Sequence, residues 1–325
     1  MKQVPSGLIL LHKPPGITSF DSLRDIKRLL GTGKAGHTGT LDKFAEGLLL
    51  VLTGRALKLS RWFTGCDKQY EGTICFGVET ETLDPEGDTV ATAPLPSRDT
   101  VEHALSQFCG EIEQAPPAYS AIHINGERAS VLARRGESPE MKKRPVNIYR
   151  LELLTWEPPY ARIFVHCSSG TYIRSLARDI ALTSGSRAFL VGLVRTKVGG
   201  FQLKEGSREL GIGNRELLLQ NGAGCQNAQP ANIFSRLPIP HSPFPFIHPI
   251  DNTVFEKLGV PCIEISPWDK KNVIHGKSIE QVLQNAPHPA AETGYTAALF
   301  SENALIALIE KDNNKWKYGY VYADN

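Results

Sequence analysis

The sequence predicts a mixed-sheet α/β or α+β core that is followed by a smaller, β-rich domain. Strand and helix patterns alternate up to Val194, but without the regular strand–helix period of a doubly wound sheet. The composition then changes, because 211–230 is rich in Gly, Asn and Gln, and 238–249 is rich in Pro, His and Phe. The tail over 254–322 holds short apolar runs of strand length.

The first predicted element is a strand over 7–11, which a proline-rich turn over 13–16 ends. A helix follows, which Thr18 or Ser19 can cap and Gly31 can end. Its apolar face is predicted from residues that recur at helical spacing: Phe20, Leu23, Ile26 and Leu30.

The rest of the chain is predicted from the same patterns. A buried strand over 48–53 and a short amphipathic helix over 55–63 come next. Further strands of the core are predicted over 70–78, 145–156, 161–167 and 189–194, with helices over 100–109 and 173–183. In the tail, strands are predicted over 262–265, 295–300, 305–309 and 316–322.

Composition and motifs exclude several classes of protein. The 325 residues suffice for two domains, and 41% of them are hydrophobic, as in soluble globular proteins. No apolar run approaches the ~18 residues that span a bilayer, and the N-terminus lacks a signal-peptide core. Six scattered cysteines without a CxxC pair suit a reducing compartment. We therefore expect a cytoplasmic protein without a membrane partner. With no P-loop, GxGxxG or metal-ligand cluster, we expect neither a nucleotide cofactor nor a metal.

The net charge is only +2, but the charges are segregated along the chain. Residues 2–61 hold ten Lys or Arg against four Asp or Glu, and 67–113 hold two against eleven. Residues 122–150 are basic again, with seven against three. Such segregation can build a positive face that binds a polyanion. Without further information, solvated surface charge remains the favoured interpretation.

Asp42 lies in a loop of small and hydroxyl residues, Gly36-His37-Thr38-Gly39-Thr40-Leu41-Asp42, shortly before the buried strand at 48–53. The arrangement would present a single carboxylate at the edge of a sheet. Aspartate in such a loop is more often a turn or capping residue, and a lone histidine such as His37 is usually structural. Glu46 has no fixed geometry relative to Asp42, so the loop does not indicate the paired carboxylates of a glycoside hydrolase.

This loop, with Ala45 and Gly47 after it, resembles the signature of the TruB family of tRNA pseudouridine synthases. Four further segments resemble motifs of that family in the same order: Leu11-His12-Lys13-Pro14-Pro15-Gly16-Ile17-Thr18-Ser19, Asp67-Lys68-Gln69-Tyr70, Pro116-Pro117-Ala118-Tyr119-Ser120-Ala121 and His166-Cys167-Ser168-Ser169-Gly170-Thr171-Tyr172-Ile173-Arg174. Five motifs in order, over most of residues 8–200, make the resemblance specific.

The resemblance implies a role for each matching residue. Asp42 would be the catalytic aspartate, which attacks the ribose C1′ or the uracil ring or promotes glycosidic cleavage as a base. Tyr70 would stack on the target uracil near the C5 proton, and Arg174 would pair with Asp42 and position it. The remaining implied substrate-binding residues are Tyr172 and Leu193 in the pocket wall, His37 in the space that the flipped base leaves, and Lys13 in the outer shell.

The resemblance also implies the organisation and the activity of the chain. It implies an α+β pseudouridine synthase core over 1–212 with a basic, RNA-gripping flap at about 122–145. A linker or insertion over 213–249 and a small β-rich, PUA-like RNA-binding domain over 250–325 would follow. The implied activity is that of an isomerase, which flips uridine 55 out of the T-loop of tRNA and converts it to pseudouridine. It would act as a monomer, without a cofactor.

Two other functions stay open at the level of sequence. One is a tRNA-binding folding factor whose catalysis is secondary or lost. The other is a glycoside or nucleoside hydrolase that uses Asp42 together with a second acid. In addition, Lys43 follows Asp42 where the family usually has proline, so we expect weaker restraint on the backbone at this position.

Overall fold

The structure is a computed structural model that describes residues 5–137, 139–203, 247–284, 294–313 and 315–322. Up to residue 203 these residues form a core around one nine-stranded sheet. In chain order the elements of the core are β1 (Gly7–Lys13), α1 (Ser22–Leu30), β2 (Ala35–His37), β3 (Glu46–Thr53), a 3₁₀ helix (Gly54–Leu59), α2 (Ser60–Thr64), β4 (Lys68–Phe76), β5 (Val78–Thr80), β6 (Thr89–Thr92), α3 (Arg98–Ser106), β7 (Gly110–Gln114), β8 (His123–Ile124), β9 (Glu127–Arg128), α4 (Ala129–Arg134), β10 (Arg144–Glu157), β11 (Tyr160–Cys167), α5 (Ile173–Thr183), β12 (Ala188–Val198) and β13 (Phe201–Gln202).

The large sheet is mixed, as predicted. Its strands lie in the order β1-β3-β12-β4-β11-β10-β7, with β2 added to β3 and β13 added to β12. The pair β3–β12 is parallel, whereas β12–β4 is antiparallel. Arg195 of β12 is therefore level with Gly47 on one side and with Tyr70 on the other. This register brings the start of β3 and the first residues of β4, with Tyr70, to the same level of the sheet.

Strand β3 is buried on both faces, which explains its uninterrupted apolar run. On one face, Leu49 and Val51 pack in a cluster with Leu23 and Ile26 of α1. On the other face, the alternate leucines join a second cluster that contains residues of the C-terminal part of the chain. On the sheet beyond β12, α3 and α5 pack together over a third cluster.

Helix α1 follows the prediction at its end but not at its start. Gly31 ends it in the left-handed conformation, with φ of 60°, as predicted. Asp21 rather than Thr18 or Ser19 is the N-cap residue, and Thr18 Oγ1 accepts a 3.0 Å hydrogen bond from the Asp21 N–H. The prediction that Phe20 lies on the buried face is wrong. Because Phe20 precedes the first helical turn, its side chain leaves the sheet and is 71% exposed.

The C-terminal part contains the predicted strands, and the structure adds three short helices. Its elements are α6 (Asn252–Lys257), β14 (Cys262–Glu264), α7 (Pro267–Ile274), α8 (Ile279–Leu283), β15 (Thr296–Ser301), β16 (Ala304–Asp312) and β17 (Lys315–Val321). The four strands form a separate sheet in the order β14-β15-β16-β17. The prediction of an α+β core with a small β-rich unit is thus confirmed.

This unit has its own hydrophobic cluster, but it also shares one with the core. In the shared cluster, Phe63 stacks on Phe201 at 6.0 Å, and Phe255 contacts Phe300 edge-on at 5.8 Å. Residues 213–246 of the predicted linker lie outside the described residues. His248, just after them, exchanges two backbone hydrogen bonds with Leu8 of β1. The domain boundaries remain predictions.

Candidate active site

Asp42 lies in the loop that joins β2 to β3, residues 38–45, which we name the Asp42 loop. Its carboxylate is bound side-on by the guanidinium of Arg174, near the start of α5. Nε of Arg174 is 2.8 Å from Oδ2, and Nη2 is 3.1 Å from Oδ1. The Arg174 side chain is 5% exposed and that of Asp42 is 35% exposed. The pair is therefore anchored at the arginine, while part of the carboxylate faces solvent.

Arg174 also joins the Asp42 loop to two other segments. Its Nη1 donates to the carbonyl of Thr82 at 2.7 Å, and its Nη2 donates to the carbonyl of Tyr119 at 3.1 Å. Oδ2 of Asp84 lies 3.3 Å from Nη1. Because these bonds use every guanidinium nitrogen, the orientation of Arg174 is fixed from several directions.

Asp84 is a second carboxylate in this network, but it does not flank the open face of Asp42. It is buried, contacts the other edge of the guanidinium, and accepts hydrogen bonds from Thr82 Oγ1 at 2.6 Å and from the Glu86 N–H at 3.0 Å. Burial raises the pKa of Asp84, and the Thr82 hydrogen bond and the Arg174 charge oppose that rise. A glycosidase needs both acids beside one bond, and Asp84 does not meet that requirement.

A buried arginine, Arg195 of β12, holds the N-terminal half of the Asp42 loop. Its side chain donates to the carbonyls of Leu48 at 2.7 Å, Gly39 at 3.0 Å and Thr40 at 3.3 Å. Arg195 is 2% exposed. The approach of β12 to β3 also requires Gly47, since a Cβ there would lie 2.3 Å from the Arg195 carbonyl oxygen, at a φ of +111°.

A buried lysine, Lys13 at the end of β1, holds the C-terminal half of the loop. Its Nζ donates to the carbonyls of Ala45 at 2.6 Å and Lys43 at 3.3 Å, and the residue is 0% exposed. Burial lowers the pKa of Lys13 to about 8, although the nearby Asp42 and Glu46 oppose this shift. Lys13 is therefore mostly charged at neutral pH.

Ser19 completes the restraint of the loop next to Asp42. Its hydroxyl donates to the Leu41 carbonyl at 3.0 Å and accepts from the Leu41 N–H at 2.9 Å. The backbone carbonyl of Lys43 accepts from the Gly16 N–H at 2.7 Å. Lys43 is thus restrained through its carbonyl in the absence of a proline ring. Its side chain pairs with Glu86 at 3.0 Å, an exposed contact that contributes about 0–1 kcal/mol.

Two tyrosines, Tyr70 and Tyr172, lie close to the pair of Asp42 and Arg174. Tyr70 belongs to the same buried cluster as Leu193 and Leu41, while the backbone N–H and carbonyl of Tyr172 both bind the side chain of Gln114, at 2.8 and 3.1 Å. Burial raises the pKa of both hydroxyls, so both tyrosines are neutral at neutral pH.

His37 ends β2 just before the Asp42 loop. Its Nδ1 is buried and has no hydrogen-bond partner. Burial, and then the charges of Arg195 and Lys27, lower the pKa of His37, so the ring is neutral at neutral pH.

The sequence-predicted residues converge here, although their individual roles remain predictions. Arg174 binds Asp42 directly, Lys13 binds the Asp42 loop, and Tyr70 and Leu193 share a cluster with Leu41. Sequence reasoning missed Arg195, Asp84 and Ser19. The signal for Arg195 was a charged residue that continues a buried strand, where a charge requires a partner.

The flap, residues 122–145, lies beside the site. It contains the short hairpin β8–β9 and helix α4, and its cations are exposed: Arg128, Arg134, Arg135, Lys142, Lys143 and Arg144. A cavity of about 220 Å³ lies at its base, lined by Ile122, Ile124 and Met141 together with Lys142 and Arg144. Within the described ranges, we find no cluster of three or more residues able to hold a metal ion, and no helix long and apolar enough to cross a membrane.

Comparison with known proteins gives consistent results. Residues 27–173 match the family model for TruB family pseudouridylate synthase (N terminal domain). A protein of Treponema pallidum (strain Nichols) named tRNA pseudouridine synthase B is 40% identical over 359 aligned positions, which cover 98% of each chain. A protein of the same name from Borreliella burgdorferi (strain ZS7) is 45% identical over 203 residues, 62% of this chain and 72% of that one. The fold also matches a solved Cbf5-Nop10-Gar1 complex at 24% identity, with a TM-score of 0.67 over 99% of this chain and 86% of that one.

Proposed function

This chain belongs to the TruB family of pseudouridine synthases, and from that premise we propose that it converts uridine 55 in the T-loop of tRNA to pseudouridine. As a member of the family it is an isomerase that modifies tRNA. The proposal adds the target position, the catalytic role of Asp42 and the flipping of the target base. The observation that carries it is the side-on pair between Arg174 and a partly exposed Asp42, beside the cluster of Tyr70 and Leu193.

The reaction requires the kinds of residue that meet here. The N1–C1′ bond of the uridine breaks, the uracil turns, and a C5–C1′ bond forms. C5 then loses its proton and N1 gains one, so the composition of the RNA is unchanged. Asp42 is the group that attacks or acts as a base, and Arg174 fixes the direction in which its oxygens point. Tyr70 stacks on the uracil as a neutral phenol.

Flipping the target base costs free energy, which contacts between the protein and the RNA must offset. Extrusion of a base costs a few kcal/mol, and stacking on one aromatic ring such as Tyr70 returns about 1–3 kcal/mol. Phosphate contacts from exposed cations of the flap supply part of the remainder. His37, neutral and with a free ring nitrogen, is suited to fill the space that the uridine leaves.

The remaining parts of the proposal concern the whole chain. We infer that it acts as a monomer in the cytoplasm, without a cofactor, and that its small β-rich unit contacts RNA. The shared cluster of Phe63, Phe201, Phe255 and Phe300 supports a fixed position of that unit beside the core.

The test uses the full chain and an unmodified T-arm RNA that is labelled with tritium at C5 of uridine. We expect release of tritium, and pseudouridine at position 55 by sequencing mass spectrometry. Asp42→Asn should abolish both and leave RNA affinity within about threefold, because it removes the charge but not the shape. The matched control is Glu46→Gln, which alters a nearby carboxylate that faces His12 at 3.9 Å and should retain turnover.

The same experiment separates the alternatives. Free uracil would indicate a hydrolase, and binding without any base chemistry would indicate a folding factor. Comparable turnover by Asp42→Asn would show that the catalytic role assigned to Asp42 is wrong.

A further inference from the structure

Among the described residues, Phe20 is the most exposed large hydrophobic side chain, at 71%. It lies in the turn between β1 and α1, where it contributes little to the core. Covering an aromatic ring that is exposed to water is favourable, because it removes apolar surface from water. A single exposed ring of this kind is well suited to stack on a flat ligand.

The surroundings of Phe20 favour an anionic partner. Nζ of Lys27, two helical turns along α1, lies 5.0 Å from the centroid of the ring. A cation over one face leaves the other face available for stacking. Over residues 20–34 the chain holds four cations, Arg24, Lys27, Arg28 and Lys34, against two acids, Asp21 and Asp25. The local charge is therefore positive.

Phe20 is also connected to the candidate site through Ser19, which precedes it in the chain, and through Lys27, which contacts its ring. Ser19, the preceding residue, binds the backbone of Leu41 in both directions, at 3.0 and 2.9 Å, and Leu41 precedes Asp42. Lys27 is close enough to His37 for its charge to lower the pKa of that ring. Phe20 therefore directly follows a residue that holds the Asp42 loop, and Lys27 lies over its ring.

We propose that Phe20 and Lys27 form a second base-binding subsite, in which the open face of the Phe20 ring stacks on an unpaired nucleobase next to the target uridine in the RNA strand. Stacking accepts any base, because every base has a π-face, and Lys27 adds attraction to the adjoining phosphate. The subsite would hold the strand beside the flipped uridine and would not take part in the chemistry. This inference rests on the proposed RNA substrate.

The test is a coupling measurement on the full chain carrying Asp42→Asn, so that RNA binds without turnover. T-arm RNAs that each lack one loop base are bound by this protein and by the same protein with Phe20→Ala. We expect Phe20→Ala to weaken binding of intact RNA roughly five- to hundredfold. At one position beside the target, removal of the base should cost a similar factor, and the two changes together should cost no more than either alone.

Two controls keep this result specific. Phe20→Trp should bind as the parent does. Tyr160→Ala removes an aromatic ring that is 46% exposed at the far end of the sheet, paired with Cys75, and should change nothing. In the otherwise unmodified enzyme, Phe20→Ala should raise KM and leave kcat within about threefold. Unchanged thermal unfolding would confirm that the fold is intact.

The inference is overturned if Phe20→Ala leaves binding unchanged, or if it weakens binding of every abasic RNA by the same factor. Failure of the proposed function would look different. In that case the unmodified enzyme would make no pseudouridine, or would bind T-arm RNA no better than an unrelated RNA of equal length.

Discussion

The Asp42 loop and the flap both depend on cations, but they use them in opposite ways. The cations that hold the Asp42 loop, Lys13 of β1 and Arg195 of β12, are 0% and 2% exposed, and they bind backbone carbonyls of the loop and of the adjoining β3. In the flap the cations are exposed, and the flap's ion pair between Arg135 and Glu127 lies at the surface. The first arrangement fixes geometry, whereas the second leaves charge available to a polyanion.

Catalysis and RNA binding require different precision from these two regions. Attack on a nucleoside tolerates little error in the position of a carboxylate, and a displacement of about 1 Å can cost 10²-fold in rate. Recognition of a phosphate backbone tolerates more variation, because it sums many exposed contacts. Substitutions in the two regions should therefore separate turnover from binding.

The largest effect is expected for Arg174→Ala. It removes the partner of Asp42 and leaves Asp84 as a buried, unpaired carboxylate, so the free energy of unfolding should fall by about 3–5 kcal/mol. Turnover should be lost even below the unfolding temperature. Arg98→Ala, which breaks an exposed pair with Glu102, is the control and should cost at most about 1 kcal/mol. Urea unfolding and tritium release measure the two quantities, and equal costs for both variants would contradict the network.

Arg195→Met should produce the next largest effect. The change keeps the volume but leaves the carbonyls of Gly39, Thr40 and Leu48 without their donor. We expect kcat to fall about 10²-fold, with little change in RNA affinity, because the pair of Asp42 and Arg174 persists in a displaced loop. Single-turnover kinetics at saturating RNA measure this. A rise in KM with an unchanged kcat would assign Arg195 to RNA binding instead.

Lys13 predicts a dependence of stability on pH. The folded chain releases the Lys13 proton near pH 8, whereas the unfolded chain holds it up to about 10.5. The unfolded state binds more protons between these values, so this contribution makes the folded state more stable as pH rises. Compared with Lys13→Met, the native chain should gain up to about 1.4 kcal/mol per pH unit over this window. Urea unfolding at pH 8 and 10 tests it, with the exposed Lys43→Met as control, and parallel curves would refute it.

The flap gives the smallest effect of the four, and it should appear in binding alone. Lys142→Ala with Arg144→Ala removes two exposed cations next to the cavity. If both contact phosphates, the slope of log affinity against log salt should fall by roughly 1.4, at about 0.7 per contact. The rate at saturating RNA should stay within about threefold. An unchanged slope would show that the flap does not grip phosphate.

Local patterns predicted much of the fold. The leucine run of β3 and the helix over 173–183 were predicted because their apolar spacing repeats over several residues. The three helices of the C-terminal part were missed, since they have only five to eight residues and too few turns for a period to emerge. Phe20 fitted a helical period by chance, although it lies two residues before the helix begins.

In the candidate site, too, some residues could be predicted from the sequence and others could not. The motifs identified Asp42 and Arg174, whose contact closes a sequence separation of 132 residues. Arg195 could not be assigned from its own neighbours, because its acceptors at Gly39 and Leu48 lie 156 and 147 residues away. Asp84 could not be assigned to the site either, because its hydrogen bonds from Thr82 and Glu86 are local and only the approach of Arg174 brings it a cation.

The most direct test is a pair of crystal structures, of the wild-type chain alone and bound to product RNA that carries pseudouridine. We expect the backbone of residues 38–45 to superimpose within about 0.5 Å, and Lys13 and Arg195 to keep their carbonyl acceptors. We also expect Arg174 to bind Asp42 in both structures. A loop that differs by more than about 2 Å, or a pair that forms only with RNA, would contradict the claim that the site is fixed before its substrate arrives.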